Sequence, residues 1–210
     1  RAPDPVLRPS LLRTRQTRLA ALFAGTAGLG EAGMVFIPAL AVAALGVSSS
    51  TSSLLLLPVV LALAAGAPLI GRLLDVTGSR VVITLGLACL AAGSVLTALA
   101  GQTLAFILCT ALMGLGLVSV LGAPLRYILL NEAAPEDRTA AQGLLTIFTS
   151  VGQLLSGALV GAVAQSRGGG HAGYSAAFTV IGAVAFLAAL AATGLKGHAE
   201  ERTAAQTRPA

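Results

Sequence analysis

One carboxylate stands inside an otherwise uncharged apolar segment, and this makes Glu31 the residue of the sequence best placed to do chemistry. It lies 13 residues beyond Arg18, which at about 1.5 Å per helical residue is roughly 20 Å into a possible membrane span. A charge at that depth costs at least about 2.5–3.5 kcal/mol. The carboxyl should therefore be protonated when dry and ionise when water or a cation reaches it. We favour this proton-exchanging role over a permanently neutral, hydrogen-bonded Glu31.

Three further polar residues lie within apolar stretches and have two interpretations each. Arg126 follows Pro124 near the end of a span, and is either a gate residue that pairs with Glu132 or Asp75 or a side chain that extends to the membrane surface. Thr149 and Gln153 belong to a polar stripe at helical spacing. They either contact a substrate or form hydrogen bonds between helices.

Composition restricts the class of protein strongly. Of the 210 residues, 56% are hydrophobic and 10% are charged, whereas soluble domains carry about 25% charged residues. Six membrane-spanning helices need about 120 apolar residues, which matches this content. Disorder and a disulfide scaffold are excluded. We find no metal cluster, no cofactor motif and no catalytic set, so an enzyme is not expected.

A Gly-x-G-x-x-G pattern at Gly28, Gly30 and Gly33 does not indicate a nucleotide site. The dinucleotide motif needs a preceding strand and an acidic residue about 20 positions on. Neither is present, because the flanks form one apolar helix and the next acidic residue is Asp75. These glycines are expected to thin one face of the helix for close packing.

The fold predicted is all-α, a polytopic membrane protein with six transmembrane helices. Low β-branched content and long runs of Ala, Leu and Gly favour helices over barrel strands. The predicted spans are 19–45, 52–74, 80–100, 103–130, 139–165 and 173–195. A basic cytoplasmic lead-in (1–18) precedes them, and a disordered cytoplasmic tail (196–210) follows.

The basic residues predict the orientation of these spans. Twelve of the 13 Lys and Arg residues fall on one side of the predicted topology, and only Arg167 falls on the other. Because positive charge accumulates in cytoplasmic loops, both termini are expected in the cytoplasm. The same distribution explains the basic pI without a nucleic-acid partner.

The loop between the second and third spans carries four residues with distinct physical roles. Gly71 would allow close helix approach, Gly78 a turn with positive φ, and Asp75 could accept hydrogen bonds at a helix N-terminus. With Arg80 they form Gly-x-x-x-Asp-x-x-Gly-x-Arg, which resembles the loop signature of the major facilitator superfamily. Val76 and Ser79 depart from its usual basic residues.

A second segment strengthens this resemblance. Pro135-Glu136-Asp137-Arg138, followed by Ala141 and Gly143, is similar to the cytoplasmic approach to that family's eleventh helix. The chain therefore resembles the C-terminal six-helix half of such a transporter, most like its drug:proton antiporters. The resemblance implies a 3+3 inverted repeat, for which an offset of 90 residues aligns Gly71, Asp75 and Gly78 with Gly161, Gln165 and Gly168. It also implies that the first and fourth helices line a cavity.

The resemblance implies secondary active transport by alternating access in the plasma (inner) membrane, with proton-coupled efflux of a small drug-like molecule as the leading case. Glu31 would then exchange protons, and Asp75, Arg80 and Arg138 would hold the cytoplasmic gate. The implied partners are the lipid bilayer, a small-molecule substrate, protons and a missing N-terminal half of six or eight helices, in the same chain or a partner copy. Alternatives are a nutrient symporter or uniporter, or a non-transporting membrane subunit.

Overall fold

Nine α-helices make up the part of the chain that the computed structural model describes, residues 14–133 and 137–195. They are α1 (Arg15–Gly33), α2 (Ile37–Leu45), α3 (Ser49–Leu54), α4 (Leu57–Thr77), α5 (Ser79–Leu99), α6 (Thr103–Leu121), α7 (Ala123–Glu132), α8 (Arg138–Ser166) and α9 (Gly170–Ala192). A short 3₁₀ turn, Met34–Phe36, joins α1 to α2.

These helices group into six spans that are long and apolar enough to cross a membrane, which confirms the predicted fold class. The spans are Arg15–Leu45, Ser49–Thr77, Ser79–Leu99, Thr103–Glu132, Arg138–Ser166 and Gly170–Ala192. Three of them are interrupted, and each interruption is followed by a proline in the first turn of the next helix: Pro38 in α2, Pro58 in α4 and Pro124 in α7. Proline lacks the N–H that would continue the preceding helix, so the breaks follow from the sequence.

The span limits differ from the predicted ones by up to three or four residues at each end. The first helix begins at Arg15, because the Thr14 hydroxyl accepts a hydrogen bond from the Thr17 N–H at 3.2 Å and caps it. Arg15 and Arg18, which the sequence had assigned to the lead-in, are therefore helical. The rest of that lead-in (1–13), the segment 134–136 with Pro135 and Glu136, and the tail 196–210 lie outside the described residues.

Helix pairing follows a pattern that relates the first three spans to the last three. The first span packs most extensively on the fifth (α1 on α8), the second packs on the fourth (α4 on α6), and the third packs on the sixth (α5 on α9). Suppose that the first span is exchanged with the fourth, the second with the fifth and the third with the sixth. The pair of first and fifth spans then becomes the pair of fourth and second spans, and the pair of third and sixth spans stays the same.

The close contacts of these pairs repeat in the same way. The Thr149 carbonyl faces Gly28 where α8 crosses α1, and the Val59 carbonyl faces Gly114 where α4 crosses α6. Thr149 and Val59 are separated in the sequence by the predicted offset of 90 residues. The separation between Gly28 and Gly114 is one helical turn shorter than this offset. This arrangement supports the inverted repeat.

The two ends of the described chain lie on the same side of the bundle. Gly194, just after α9, contacts the Arg15 guanidinium at the start of α1. One apolar cluster at this side joins Ala20 of α1 with Ala141 of α8 and Leu195. An even number of crossings requires this result, and the structure confirms it.

Glycine allows a close helix approach between α5 and α6. A Cβ atom added to Gly116 would meet the Leu90 backbone nitrogen and the Gly86 carbonyl, and one added to Gly93 would lie 2.6 Å from the Met113 nitrogen. Helices in lipid associate through such close backbone contacts, because the acyl chains are as apolar as the helix surfaces and no hydrophobic force drives the helices together.

We expect Gly116→Ala to destabilise the bundle by about 1–3 kcal/mol, because the added methyl has no space between α5 and α6. Thermal unfolding of the purified protein in detergent would measure the loss. Gly143→Ala is the matched control, since its site in α8 has no neighbour within 4 Å and both changes improve helix propensity equally. Equal unfolding temperatures for the two variants would contradict the prediction.

Candidate functional site

A cavity of about 360 Å³ opens on the side of the bundle formed by α1, α6, α7 and α8. Most of its wall is polar and comes from one face of α8. Its lining residues are Ala24, Glu31, Leu121, Leu125, Arg126, Gln142, Leu145, Thr146, Thr149, Ser150 and Gln153. The first and fourth spans therefore line the cavity, as the resemblance implied, and the fifth span contributes the largest share.

Glu31 is half-buried at the α1 wall and is hydrogen-bonded across the cavity to another span. The Gln153 side-chain amide donates from Nε2 to Glu31 Oε2 at 3.0 Å. Of the two roles that the sequence left open for Gln153, the interhelical hydrogen bond is the one seen here.

The close crossing of α1 and α8 sets the distance between these two side chains. At this crossing Gly28 lies against the Thr149 backbone, and Gly152 lies against the Gly25 carbonyl. Neither glycine has space for a Cβ atom. Because the backbones touch, Gln153 in the next turn of α8 is within reach of Glu31.

The three glycines around Glu31 serve three different neighbours, which corrects the expectation of one thinned face. Gly28 faces α8, Gly30 faces the side chains of Leu90 and Leu117, and Gly33 faces the side chain of Ile181. The spacing of two and three residues turns each glycine to a different side of α1. These glycines therefore allow α1 to be surrounded by helices on several sides.

Arg126 shares the cavity wall with Glu31. It lies on α7, with an exposed side chain, so the site contains one acidic and one basic group. Gly122, with φ of −71° and ψ of −141°, ends α6, so Arg126 lies on the next helix, α7. Its pairing with Glu132 or Asp75 stays a prediction.

The loop motif lies outside the cavity, at the end of the bundle that carries both chain ends. Gly78 has φ of 81° and turns the chain from α4 into α5, as expected. Two other expectations are wrong in this conformation. Gly71 has no neighbour within 4 Å, and Asp75 is exposed while the N-terminus of α5 has no side-chain cap.

Arg80 and Arg138 are also exposed, each in the first turn of its helix. The described contacts do not join them to Asp75, and their role in a gate stays a prediction.

Gly157 and Gly161, spaced one helical turn apart on α8, have no partner within the described chain. Both glycines are exposed on α8, with nothing within 4 Å. Ser156, their neighbour on the same helix, is by contrast fully buried in the bundle. On the opposite side of the α1–α8 crossing, Leu155 and Val151 line an apolar groove of about 260 Å³.

Metal chemistry has no support among the residues that the structure describes, where no group of three or more His, Cys, Asp or Glu side chains could hold an ion. His171 instead contacts the Ser175 hydroxyl at 3.1 Å, one turn along α9. The cavity offers one carboxyl, one guanidinium and the hydroxyl and amide groups along α8.

The model of the Major Facilitator Superfamily matches residues 20–209, nearly the whole chain. The chain belongs to the Major Facilitator Superfamily. It is 30% identical over 157 residues to YfiU of Bacillus subtilis (strain 168), described as an uncharacterized MFS-type transporter. The match covers 74% of this chain and 30% of YfiU, so the chain spans less than a third of the length of that relative. The chain is an integral membrane protein of this family.

The sequence had identified Glu31, Arg126, Thr149 and Gln153, and helical spacing along α8 places Gln142 and Thr146 on the same face as the last two. The apolar part was missed. Leu121, Leu125 and Leu145 resemble every other leucine in the sequence, and only the packing turns them towards the cavity.

We expect Thr146→Cys, in a protein whose native Cys89 and Cys109 are replaced by Ala, to react with a membrane-impermeant thiol reagent. Leu155→Cys is the matched control, since it is also exposed on α8, at 56%, but lines the apolar groove. Water is needed to form the reactive thiolate, so the cavity position should label at least tenfold faster. Equal labelling rates would mean that the two surfaces face the same environment.

Proposed function

We propose that this chain is one half of a secondary active transporter that couples proton movement to the efflux of small drug-like molecules. The observation that carries the proposal is Glu31, a carboxyl in the middle of the first span that opens onto a polar cavity and meets Gln153 across it. Ionisable residues at membrane depth are expensive and typically serve transport. A purely structural Glu31 would not need access to the cavity.

The chemistry of the cavity favours an amphipathic substrate. Hydroxyls and amides of α8 form one wall, Glu31 and Arg126 add one acidic and one basic group, and Ala24 and leucines of α6, α7 and α8 complete the lining. An organic cation could use the ionised Glu31 as its counterion, and protonation of Glu31 would then release it. One carboxyl would thus alternate between substrate and proton, which is the exchange that an antiporter requires.

During alternating access, α1 and α8 would slide against each other at their close backbone crossing. Backbones that touch at Gly28 and Gly152 can slide without side chains having to unlock. In this proposal Asp75, Arg80 and Arg138 close the cytoplasmic end of the cavity in one state. The three residues lie in helix ends at the side of the bundle that carries both chain ends, which we assign to the cytoplasm on the distribution of positive charge.

A second six- or eight-helix half would complete the cavity, either in the same chain or in a partner copy. The second and fifth spans are the least covered: only 22% of the most apolar stretch of each is buried, against 39–56% in the other four. The uncovered small residues Gly157 and Gly161 lie on the fifth span, in α8. They would let the missing half approach closely.

We expect Glu31→Gln in the full-length protein to abolish proton-driven efflux while exchange of substrate across a membrane without a pH gradient continues. The amide keeps the size and the hydrogen bonding of the carboxyl but cannot take up a proton. Efflux of amphipathic cationic dyes from cells, with and without an uncoupler, measures the first activity, and dye exchange in proteoliposomes measures the second.

Normal uncoupler-sensitive efflux by Glu31→Gln would contradict the proposed role of Glu31 in proton coupling. Uncoupler-sensitive dye uptake by the unaltered protein would instead indicate a symporter.

We expect Gly157→Leu to lower the thermal stability of the full-length protein by at least 1 kcal/mol, roughly the cost of overpacking a helix interface. Ala183→Leu is the control, because Ala183 is exposed on α9, a helix without cavity-lining residues. If both variants unfold at the temperature of the unaltered protein, α8 faces lipid at Gly157 and the second half docks elsewhere.

A further inference from the structure

The apolar groove on the far side of the α1–α8 crossing is separate from the polar cavity. Its volume is about 260 Å³, and α1, α8 and Val184 of α9 border it. Among the described residues that line it, only Thr26 has a polar side chain, and this hydroxyl donates to the Leu22 carbonyl on its own helix at 3.0 Å. The groove is therefore suited to a hydrocarbon chain.

The groove has the length of one leaflet of a bilayer. Its α1 wall runs through Leu22 and Gly25 to Leu29, and Leu29 lies 11 residues beyond Arg18. At about 1.5 Å per residue this distance is roughly 16 Å. The hydrocarbon core of a bilayer is about 30 Å thick, so a chain that starts at Arg18 and follows the groove would end near the middle of the membrane.

Positive charge lies at the outer end of the groove. Positions 18, 22, 25 and 29 are separated by four, three and four residues, which places Arg18 on the face of α1 that lines the groove. Arg18 is exposed. Arg15 lies one turn before it and contacts Gly194 at the same end of the bundle. Two guanidinium groups therefore stand where an apolar chain in the groove would meet the membrane surface.

The groove faces away from the surface that we propose for the missing half. On α8, Gln153 of the cavity precedes Leu155 of the groove by two residues, and the uncovered Gly157 follows it by two. At 3.6 residues per turn, both lie about 160° around the helix from Leu155. One side of α8 thus serves the cavity and the second half, and the other side, with the groove, is left to the lipid.

The shape of the groove and the charge at its end have different effects on a lipid. Leu22, Val151 and Leu155 at the rim are each about half exposed. Lipid tails are as apolar as these side chains, so no hydrophobic force selects one lipid over another. Selection must come from the headgroup, and basic residues at the membrane surface attract anionic lipids.

We propose that the groove is the binding site of one anionic phospholipid, from the leaflet on the side of the bundle that carries both chain ends. One acyl chain lies in the groove from Leu22 to Leu29, and Arg18 holds the phosphate, with Arg15 beside it. The planar guanidinium binds phosphate oxygens through two parallel N–H groups. The site goes beyond the proposed transport function and does not depend on proton exchange at Glu31.

Photoactivatable phospholipids with a diazirine in the acyl chain test the headgroup contact in proteoliposomes of the full-length protein. We expect phosphatidylglycerol to label Leu22, Val151 and Leu155 more strongly than phosphatidylcholine does. In Arg18→Gln the labelling by phosphatidylglycerol should fall about fivefold, the effect of one basic residue at a membrane surface, and the labelling by phosphatidylcholine should not change.

Arg72→Gln is the matched control. It removes the same charge from an exposed position near the end of α4, and the groove should label as in the unaltered protein. Equal labelling by the two phospholipids, or equal losses in Arg18→Gln and Arg72→Gln, would overturn the proposal. Groove residues that neither phospholipid labels would also overturn it, since the missing half or a second copy of the chain would then cover them.

The position of the acyl chain has a separate test in Gly25→Leu. A Cβ atom at Gly25 would lie 3.6 Å from the Phe148 carbonyl oxygen, an ordinary contact, so the new side chain would extend into the groove. We expect it to lower the labelling of Leu29 and Leu155 by phosphatidylglycerol to the level of phosphatidylcholine. Gly143→Leu, at an open site on α8, should leave the labelling unchanged.

Undiminished labelling of a folded Gly25→Leu would refute this position of the acyl chain. If Gly25→Leu does not fold, the comparison of Arg18→Gln with Arg72→Gln decides alone. Loss or retention of coupled efflux in Glu31→Gln bears on the proposed function and not on this site.

Discussion

The contact of two backbones at Gly28 and Gly152 is the constraint on which the candidate site depends. In lipid no hydrophobic force draws helices together, so association relies on close van der Waals contact and on polar bonds between spans. Gly28 and Gly152 allow this close van der Waals contact between α1 and α8, since neither glycine has space for a Cβ atom at the crossing. The close crossing also makes the polar bond between the spans possible, because Gln153 can reach Glu31 only while the two helices touch.

A close glycine crossing of this kind occurs a second time in the bundle, and together the two crossings explain how the helices are arranged. Val59 and Gly114 bring α4 to α6 as Thr149 and Gly28 bring α8 to α1, while the third and sixth spans pack on each other behind them. Two crossed pairs leave α4 and α8 projecting with most of their surface uncovered. A cavity lined by α1, α6, α7 and α8 then opens on the side of α8, where a second half of a carrier would close it.

Individual residues show why part of this arrangement could be predicted. The polar stripe of α8 follows from helical spacing alone, and so does the depth of Glu31. The positive φ at Gly78 follows from a glycine between two apolar helices. The roles of Gly71, Gly157 and Gly161 could not be found in this way, because a glycine in a sequence indicates that a close approach is possible and not which helix makes it. In the described chain these three glycines have no neighbour.

Arg126 shows the same limit for a charged residue. Its position near the end of a span was evident, but the break at Gly122 and the new helix α7 bring it to the cavity of Glu31. Backbone direction after such a break depends on the helices packed around it.

By itself the sequence determined the six spans, their membrane character, the proline breaks, the family resemblance and the isolated carboxyl in the first span. These are local or compositional properties, governed by the cost of placing polar groups in lipid and by the number of residues needed to cross it. The tertiary structure alone decided which helices touch, that Gln153 is the partner of Glu31 and that Arg126 shares their cavity. These facts join residues up to 122 positions apart, and such contacts depend on how helix faces fit together, which no local pattern contains.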